Sequence, residues 1–130
     1  MQLDAYISFW ENLSPATLPQ LEAVAVEGFK FTDPFNTLTT RADVSALLAR
    51  MFAKMQNPKF VVTGRAVNGD TAYLRWVFTA KGWRLEGMSE VVFGPDGRAV
   101  SHADHWDAAS QVYEKIPLLG SVLRLLKRFA

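Results

Sequence analysis

The apolar residues of this chain change from a mostly helical period to an alternating one after Met55, and that change constrains the fold more than any other feature. Up to Met55 most apolar residues recur at helical spacing, and from Lys59 to Trp106 they alternate as they do in strands. Short turns rich in Gly, Asn, Asp and Pro divide the alternating part into four segments: Phe60–Val67, Thr71–Ala80, Leu85–Phe93 and Arg98–Trp106. The sequence therefore predicts helices followed by a four-stranded antiparallel meander, which is an α+β domain.

The part of the chain before the meander predicts three helices and one short strand. The first two helices meet at Ser14, which can cap the second. Residues 29–32 alternate as a short strand, which ends at Pro34 because proline donates no ladder hydrogen bond. The third helix begins after Thr40 and has one apolar face over three turns. That face consists of Val44, Leu47, Leu48, Met51, Phe52 and Met55.

The end of the chain predicts a helical tail. The 130 residues are enough for a single domain, so we expect a core over residues 1–113 and an amphipathic helical tail over 114–130. The tail combines a wide apolar face with Arg124, Lys127 and Arg128. We expect this face to pack on the domain or on the mate of a homodimer, and contact with a membrane surface is the alternative.

Charge and cysteine content exclude several classes of protein. The 14 Lys and Arg residues nearly balance the 13 Asp and Glu residues, so the net charge of +1 gives no basic surface for nucleic acid. There is no cysteine, which excludes disulfides, thiolate metal sites and cysteine nucleophiles. The sequence shows neither a secretory signal pattern nor an apolar run of about 18 residues. We therefore expect a cytoplasmic protein.

Aromatic residues are unusually frequent. Nine Phe, four Trp and three Tyr occur in 130 residues. Rings in this number fit a heavy core, and they fit equally well the wall of an apolar cavity. Composition does not separate these two interpretations.

Asp33 is the first candidate for chemistry. Its neighbours Phe29, Phe31, Pro34 and Phe35 are apolar, and a carboxyl group in apolar surroundings is suited to acid or base work. The structural alternative is an Asx-turn, in which an aspartate before a proline accepts hydrogen bonds from the backbone that follows it.

The second candidate is the end of the last strand. Alternation places His102, Asp104 and Trp106 on one face and His105 on the other. Two titratable groups beside a tryptophan suit a His–Asp pair that points into a pocket, where the carboxylate orients the imidazole. The alternatives are a solvated strand end and a metal site. The two histidines lie on opposite faces and no second cluster accompanies them, so we expect no metal.

These elements and motifs together resemble the SnoaL-like, nuclear-transport-factor-2-like superfamily. The resemblance runs from Leu3 to Tyr113 and depends on the order of elements, on Phe-Thr-Asp-Pro at residues 31–34 and on Asp-His-Trp-Asp at residues 104–107. It implies a cone-shaped barrel in which a curved, mostly antiparallel sheet wraps around N-terminal helices and encloses an apolar pocket. Homodimers are common in the superfamily.

The resemblance to ketosteroid isomerases implies a role for Asp33. It occupies the position of their general base. Phe9 and Ser89 occupy the positions of the Tyr and the protonated Asp that form their oxyanion hole. Because those donors are replaced, the sequence argues against steroid isomerisation.

Two other groups of the superfamily point to the last strand. Similarity to limonene epoxide hydrolases places Asp104 on a catalytic carboxylate, but Trp76 and Phe78 stand where those enzymes have an Arg and an Asp. Polyketide cyclases of this fold use a His and an Asp in the pocket, and His102 and Asp104 match these residue types.

The sequence thus predicts a small-molecule pocket without a metal or cofactor. We expect a wall formed by Phe9, Phe31, Phe35, Met51, Met55, Trp76, Phe78 and Trp106, with polar groups at Asp33, Ser89, His102 and Asp104. One hypothesis is an acid/base enzyme of the isomerase, cyclase or hydrolase type that acts on a small, mostly apolar substrate. The others are a non-catalytic module that binds a lipid-like or aromatic ligand, and a structural dimer whose tail contacts a partner or a membrane.

Overall fold

A computed structural model describes residues 1–112 and Arg128. The predicted tail over 114–130 therefore lies outside the described residues, apart from Arg128. Within them the helices are α1 Leu3–Glu11, a 3-10 helix Pro15–Gln20, α2 Leu21–Val24, α3 Arg41–Lys54 and α4 Ala108–Gln111. The strands are β1 Ala25–Thr32, β2 Thr37–Leu38, β3 Lys59–Asn68, β4 Thr71–Ala80, β5 Trp83–Phe93 and β6 Ala99–His105.

The strands form one curved, unclosed sheet in the order β2-β1-β6-β5-β4-β3. The meander β3 to β6 is antiparallel, as predicted. Two features of the sheet are not in the prediction: β1 pairs in parallel with β6, and the two-residue β2 pairs antiparallel with β1. The parallel pairing brings the first third of the chain beside the last strand, and so it joins the two candidate regions of the sequence.

Side-chain caps begin the helices where the sequence predicts them. The Ser14 hydroxyl accepts from the Thr17 amide, and the Thr40 hydroxyl accepts from the Asp43 amide at 3.1 Å. The predicted second helix is divided into a 3-10 segment and α2, because Pro19 lies within it and donates no backbone hydrogen bond.

The helices pack on the concave face of the sheet. In β4, Ala72, Leu74, Trp76 and Phe78 are buried, and the alternate side chains face outward. α1 packs against β3, and α3 packs against β1. The largest fully buried side chains are Tyr6, Leu21, Phe29, Val44 and Val91. The core fills one end of this concave face, and its other end holds a cavity.

Candidate functional site

A cavity of about 320 Å³ lies between α3 and the concave face of the sheet. Among the residues that the structure describes, its wall is apolar apart from two carboxylates, Asp33 and Asp104. We call it the aromatic cavity. It is lined by Trp10, Phe31, Asp33, Phe35, Leu47, Leu48, Met51, Met55, Phe60, Trp76, Phe78, Trp83, Leu85, Asp104, Trp106 and Val112.

The structure places seven predicted wall residues around this cavity: Phe31, Phe35, Met51, Met55, Trp76, Phe78 and Trp106. Phe35 is 52% exposed and lies at the mouth. Phe9 corrects the prediction, because it is buried in the core and does not line the cavity. Consecutive helical residues point about 100° apart, and Trp10 takes the cavity-facing position instead.

Sequence reasoning missed several wall residues: Trp10, Leu47, Leu48, Phe60, Trp83, Leu85 and Val112. Some signal was present for α3, because Leu47 and Leu48 share the apolar face of Met51. Phe60 and Trp83 lie near the ends of β3 and β5. Alternation in the sequence does not say which face of the sheet such terminal residues occupy. One consequence is useful experimentally, since all four tryptophans of the chain line the aromatic cavity.

A second, smaller space adjoins the aromatic cavity. This small chamber has about 30 Å³, enough for a water molecule. Ser89 and His102 line the small chamber and not the aromatic cavity, whereas Asp104 lines both. Trp10, Phe60 and Trp76 are also shared between the two spaces. The carboxylate of Asp104 therefore stands between two compartments whose walls are mostly apolar.

His102 faces the interior, as strand alternation predicts, and His105 is exposed. The imidazole of His102 is 6% exposed and stacks on Phe31 with ring centroids 5.1 Å apart. Its Nε2 lies 2.6 Å from Asp104 Oδ1, and its Nδ1 lies 2.7 Å from the Tyr6 hydroxyl. Both ring nitrogens are therefore engaged, which fixes the orientation of the ring.

Tyr6 is the residue of this site that sequence reasoning missed. Its ring belongs to the buried side of α1, so the pattern gives it only a place in the core. The available signal was its hydroxyl group, which needs a partner when the ring is buried. Burial raises the pKa of the Tyr6 phenol well above its usual value, and the charge of Asp104 acts in the same direction. Tyr6 is thus a neutral hydrogen-bond donor to His102.

Two side chains hold Asp104 from the other direction. Ser89, the cross-strand partner of Asp104, donates to its Oδ1 and accepts from Trp76 Nε1 at 2.8 Å. The Trp76 indole reaches Ser89 by lying against Gly87, its own cross-strand partner. A Cβ at Gly87 would lie 2.5 Å from Trp76 Cζ2, so glycine is required there for a steric reason.

The directions of these hydrogen bonds can be assigned along the whole chain of groups. The carboxylate of Asp104 only accepts, so Ser89 Oγ and His102 Nε2 donate to it. A neutral imidazole that donates from Nε2 accepts at Nδ1, which matches the neutral Tyr6 phenol. Every bond then points toward Asp104 Oδ1. Its Oδ2 accepts no hydrogen bond from a described residue.

Comparison with known families agrees with this architecture. The profile of the SnoaL-like domain family matches residues 4–102 of the chain. The chain belongs to the SnoaL-like domain family. No protein of curated function matches the sequence significantly.

Solved structures of this SnoaL-like domain's fold come from several bacteria. An NTF2-like protein of unknown function from Cytophaga hutchinsonii has a TM-score of 0.71 at 15% identity, over 85% of this chain and 93% of that one. A Catenulispora acidiphila protein with a ketosteroid isomerase-like fold, in complex with trimethylamine, has a TM-score of 0.70 at 19% identity, over 85% and 88%. An epoxide hydrolase from M. tuberculosis has a TM-score of 0.64 at 16% identity, over 96% and 92%.

In this SnoaL-like domain, Asp33 forms the turn that the sequence left as an alternative. Its Oδ1 accepts from the Phe35 amide at 2.8 Å and from the Asn36 amide at 2.7 Å. The Asn36 side chain donates to both carboxylate oxygens. Asp33 lines the aromatic cavity, but its hydrogen bonds serve the local backbone.

Trp10 brings an unsatisfied donor to the site. The residue is 7% exposed, and its Nε1 makes no hydrogen bond with any residue that the structure describes. The indole N–H lies near enough to the Tyr6 hydroxyl to lower its pKa, against the larger effect of burial. Buried donors normally have a partner, so this N–H is an exception among the described residues.

The described residues contain neither a metal-binding cluster nor a membrane-spanning helix. Over residues 1–112 and Arg128, no group of three or more His, Asp or Glu side chains is arranged to hold a metal ion. Among the helices of the same residues, none has the length and apolar composition needed to cross a bilayer.

Proposed function

We propose that this protein binds a small, mostly apolar molecule in the aromatic cavity and carries out acid/base chemistry on it with Asp104. One observation carries the proposal: four side chains from four different elements direct their hydrogen bonds toward a single carboxylate at the cavity boundary. Tyr6 comes from α1, Trp76 from β4, Ser89 from β5 and His102 from β6. A core needs no such arrangement, and a catalytic carboxylate needs its orientation fixed.

Asp104 is favoured over Asp33 as the base because of how its oxygens are used. The Oδ1 of Asp104 is held by Ser89 and His102, while its Oδ2 is left for a proton on the substrate. Both oxygens of Asp33 already accept hydrogen bonds within its own turn. A base within reach of the substrate proton must have a free lone pair, and Asp104, which lines the cavity, has one on Oδ2.

His102 and Tyr6 act through Asp104 in this proposal. When Asp104 takes a proton on Oδ2, the Nε2–H of His102 still holds Oδ1 in place. The Tyr6 hydroxyl fixes the imidazole in the tautomer that donates from Nε2. Tyr6 is therefore a positioning residue, and His102 supports the charge of the carboxylate between reaction steps.

The surroundings support a substrate that is mostly apolar. The wall of the aromatic cavity gives such a molecule its contacts. The trimethylamine in the C. acidiphila structure supports a small-molecule ligand for a protein of this fold. The epoxide hydrolase among the structural neighbours supports chemistry on a substrate such as an epoxide.

The test is turnover of a panel of small ketones, lactones and epoxides by matched variants. Proton abstraction from ketones and lactones is measured as deuterium exchange in D₂O, and epoxide opening as diol formation. Asp104→Asn is expected to lower kcat by about 100-fold to 10,000-fold on any active substrate. Asp70→Asn is the control, because this exposed turn residue makes the same charge change outside the cavity.

Two outcomes contradict the proposal. Turnover that survives Asp104→Asn and is lost in Asp33→Asn would assign the base to the other carboxylate. Binding of panel members without turnover by the unchanged protein would identify a non-catalytic binding module.

A further inference from the structure

The charges that line the aromatic cavity are all of one sign. Asp33 and Asp104 line it, and no Lys or Arg does so among the residues that the structure describes. The chain as a whole carries 14 Lys and Arg against 13 Asp and Glu, so composition does not explain this asymmetry. The described wall of the cavity has a negative charge that nothing in that wall balances.

The rest of the wall is dominated by aromatic rings. Eight rings contribute to it: Trp10, Phe31, Phe35, Phe60, Trp76, Phe78, Trp83 and Trp106. Three neighbouring pairs stand nearly at right angles, with interplanar angles of 79° for Trp10 and Phe60, 78° for Phe60 and Trp76, and 72° for Phe35 and Trp106. Two other pairs are closer to parallel, with 23° for Trp10 and Phe31 and 45° for Phe60 and Phe78. Rings in such varied orientations present both faces and edges to their surroundings.

The faces of aromatic rings carry negative partial charge, so they attract cations, and most strongly those that have lost their water. A carboxylate beside an apolar cavity also attracts a cation, because opposite charges interact more strongly where less water screens them. An ammonium nitrogen surrounded by carbon groups meets both demands, since it is weakly hydrated and apolar on its outside. A small inorganic cation does not, because it needs several oxygen or nitrogen ligands and the described residues offer no such group.

We propose that the aromatic cavity selects a small organic cation, a tertiary or quaternary ammonium group that carries apolar substituents. This inference rests on the proposed function, since it uses the same cavity and the same Asp104, and it adds the charge of the ligand. The positive nitrogen lies among the ring faces near the two carboxylates. The remainder of the molecule occupies the apolar part of the wall.

The experiment compares two probes that differ only in charge. Benzyltrimethylammonium is a permanent cation, and neopentylbenzene has the same shape with a carbon in place of the nitrogen. Binding of each to the full chain is followed by tryptophan fluorescence, because all four tryptophans line the cavity, and is repeated by calorimetry. We expect the dissociation constant of the cation to be lower than that of its isostere by at least about tenfold.

Asp33→Asn isolates the contribution of charge. The asparagine side-chain oxygen can accept the same two backbone hydrogen bonds in the turn, so the variant removes a charge and keeps the local structure. We expect it to weaken binding of the cation by about threefold to tenfold and to leave the isostere unchanged. Asp70→Asn removes one charge outside the cavity wall and is expected to change neither affinity.

The possible results separate this inference from the proposed function. If the neutral isostere binds as tightly as the cation, the inference is wrong while the cavity keeps its role for apolar molecules. If both probes bind and Asp33→Asn weakens them equally, charge does not select the ligand and the inference is again wrong. If neither probe binds by either method, the inference and the ligand-binding part of the proposed function both fail.

Discussion

The two carboxylates of the aromatic cavity are held in opposite ways. Asp33 accepts hydrogen bonds from residues two and three positions away in sequence. Asp104 is held by Ser89, 15 positions away, and by His102, which is two positions away but whose other ring nitrogen contacts Tyr6 at a separation of 96. The hydrogen bonds around Asp33 stay within one turn, whereas those that lead to Asp104 through Ser89 and His102 come from four elements. A carboxylate in a cavity wall thus becomes a candidate base through its partners, and not through its position alone.

The largest expected effect tests the wall that the small chamber and the aromatic cavity share. Trp76 lines both spaces and is the first donor in the chain that ends at Asp104. Trp76→Ala should lower the free energy of unfolding by about 3–5 kcal/mol, because it removes a buried indole and leaves a void. Urea denaturation measures this value. A loss well under about 1 kcal/mol would mean that Trp76 supports neither compartment.

A smaller effect is expected from substitution of Gly87, which lies against the Trp76 indole. Gly87→Ala places a methyl group within 2.5 Å of Trp76 and should cost about 1–3 kcal/mol, because the ring cannot move away without losing Ser89. Gly28→Ala is the matched control in β1, since a Cβ there meets no atom within 4 Å. Equal stabilities of the two variants would show that Gly87 does not position Trp76.

Removal of the Tyr6 hydroxyl tests the long-range hydrogen bond that orients His102 toward Asp104. Tyr6→Phe leaves His102 Nδ1 without its donor, which should cost about 1–2 kcal/mol near neutral pH. The exposed Tyr73→Phe serves as the control and should change stability by less than about 0.5 kcal/mol. Chemical denaturation of both variants at neutral pH gives the two values.

The same variant has a distinct signature at alkaline pH. Because burial raises the pKa of Tyr6 above the ordinary tyrosine value of 10.0, the unfolded chain releases this proton at a lower pH than the folded protein does. The stabilising contribution is complete below pH 10 and is lost as pH rises further, so the free energy of unfolding should fall above that value. In Tyr6→Phe this fall should be smaller than in the unchanged protein, and identical slopes would contradict a buried, neutral phenol.

The smallest effect is expected for the local hydrogen bonds around Asp33. Asp33→Asn keeps an acceptor for the Phe35 and Asn36 amides, so stability should change by less than about 0.5 kcal/mol. Asp33→Ala removes that acceptor and should cost about 1 kcal/mol. Thermal denaturation compares the two variants. A large loss from Asp33→Asn alone would show that the charge of Asp33 stabilises the fold.

The contrast between local and long-range contacts also explains how much the sequence predicted. Alternation gave the bounds of β4 without error and those of β3 to within one residue, because strand period is a local property. It also predicted the inward side of β6, and the proline after Asp33 signalled the Asx-turn. The parallel pairing of β1 with β6 and the contact of Tyr6 with His102 depend on distant parts of the chain. No local pattern encodes these contacts, so the helical pattern of α1 indicates only that Tyr6 belongs to the core.

The central claim is that all hydrogen bonds of the network point toward Asp104, and the proton on His102 tests it most directly. Long-range ¹H–¹⁵N spectra of the imidazole distinguish a protonated nitrogen from an unprotonated one. At neutral pH we predict a proton on Nε2, which donates to Asp104, and an unprotonated Nδ1, which accepts from Tyr6. In Tyr6→Phe the Nδ1 resonance should shift as that hydrogen bond is lost. A proton on Nδ1 in the unchanged protein would reverse the direction of the Tyr6 contact and contradict the account.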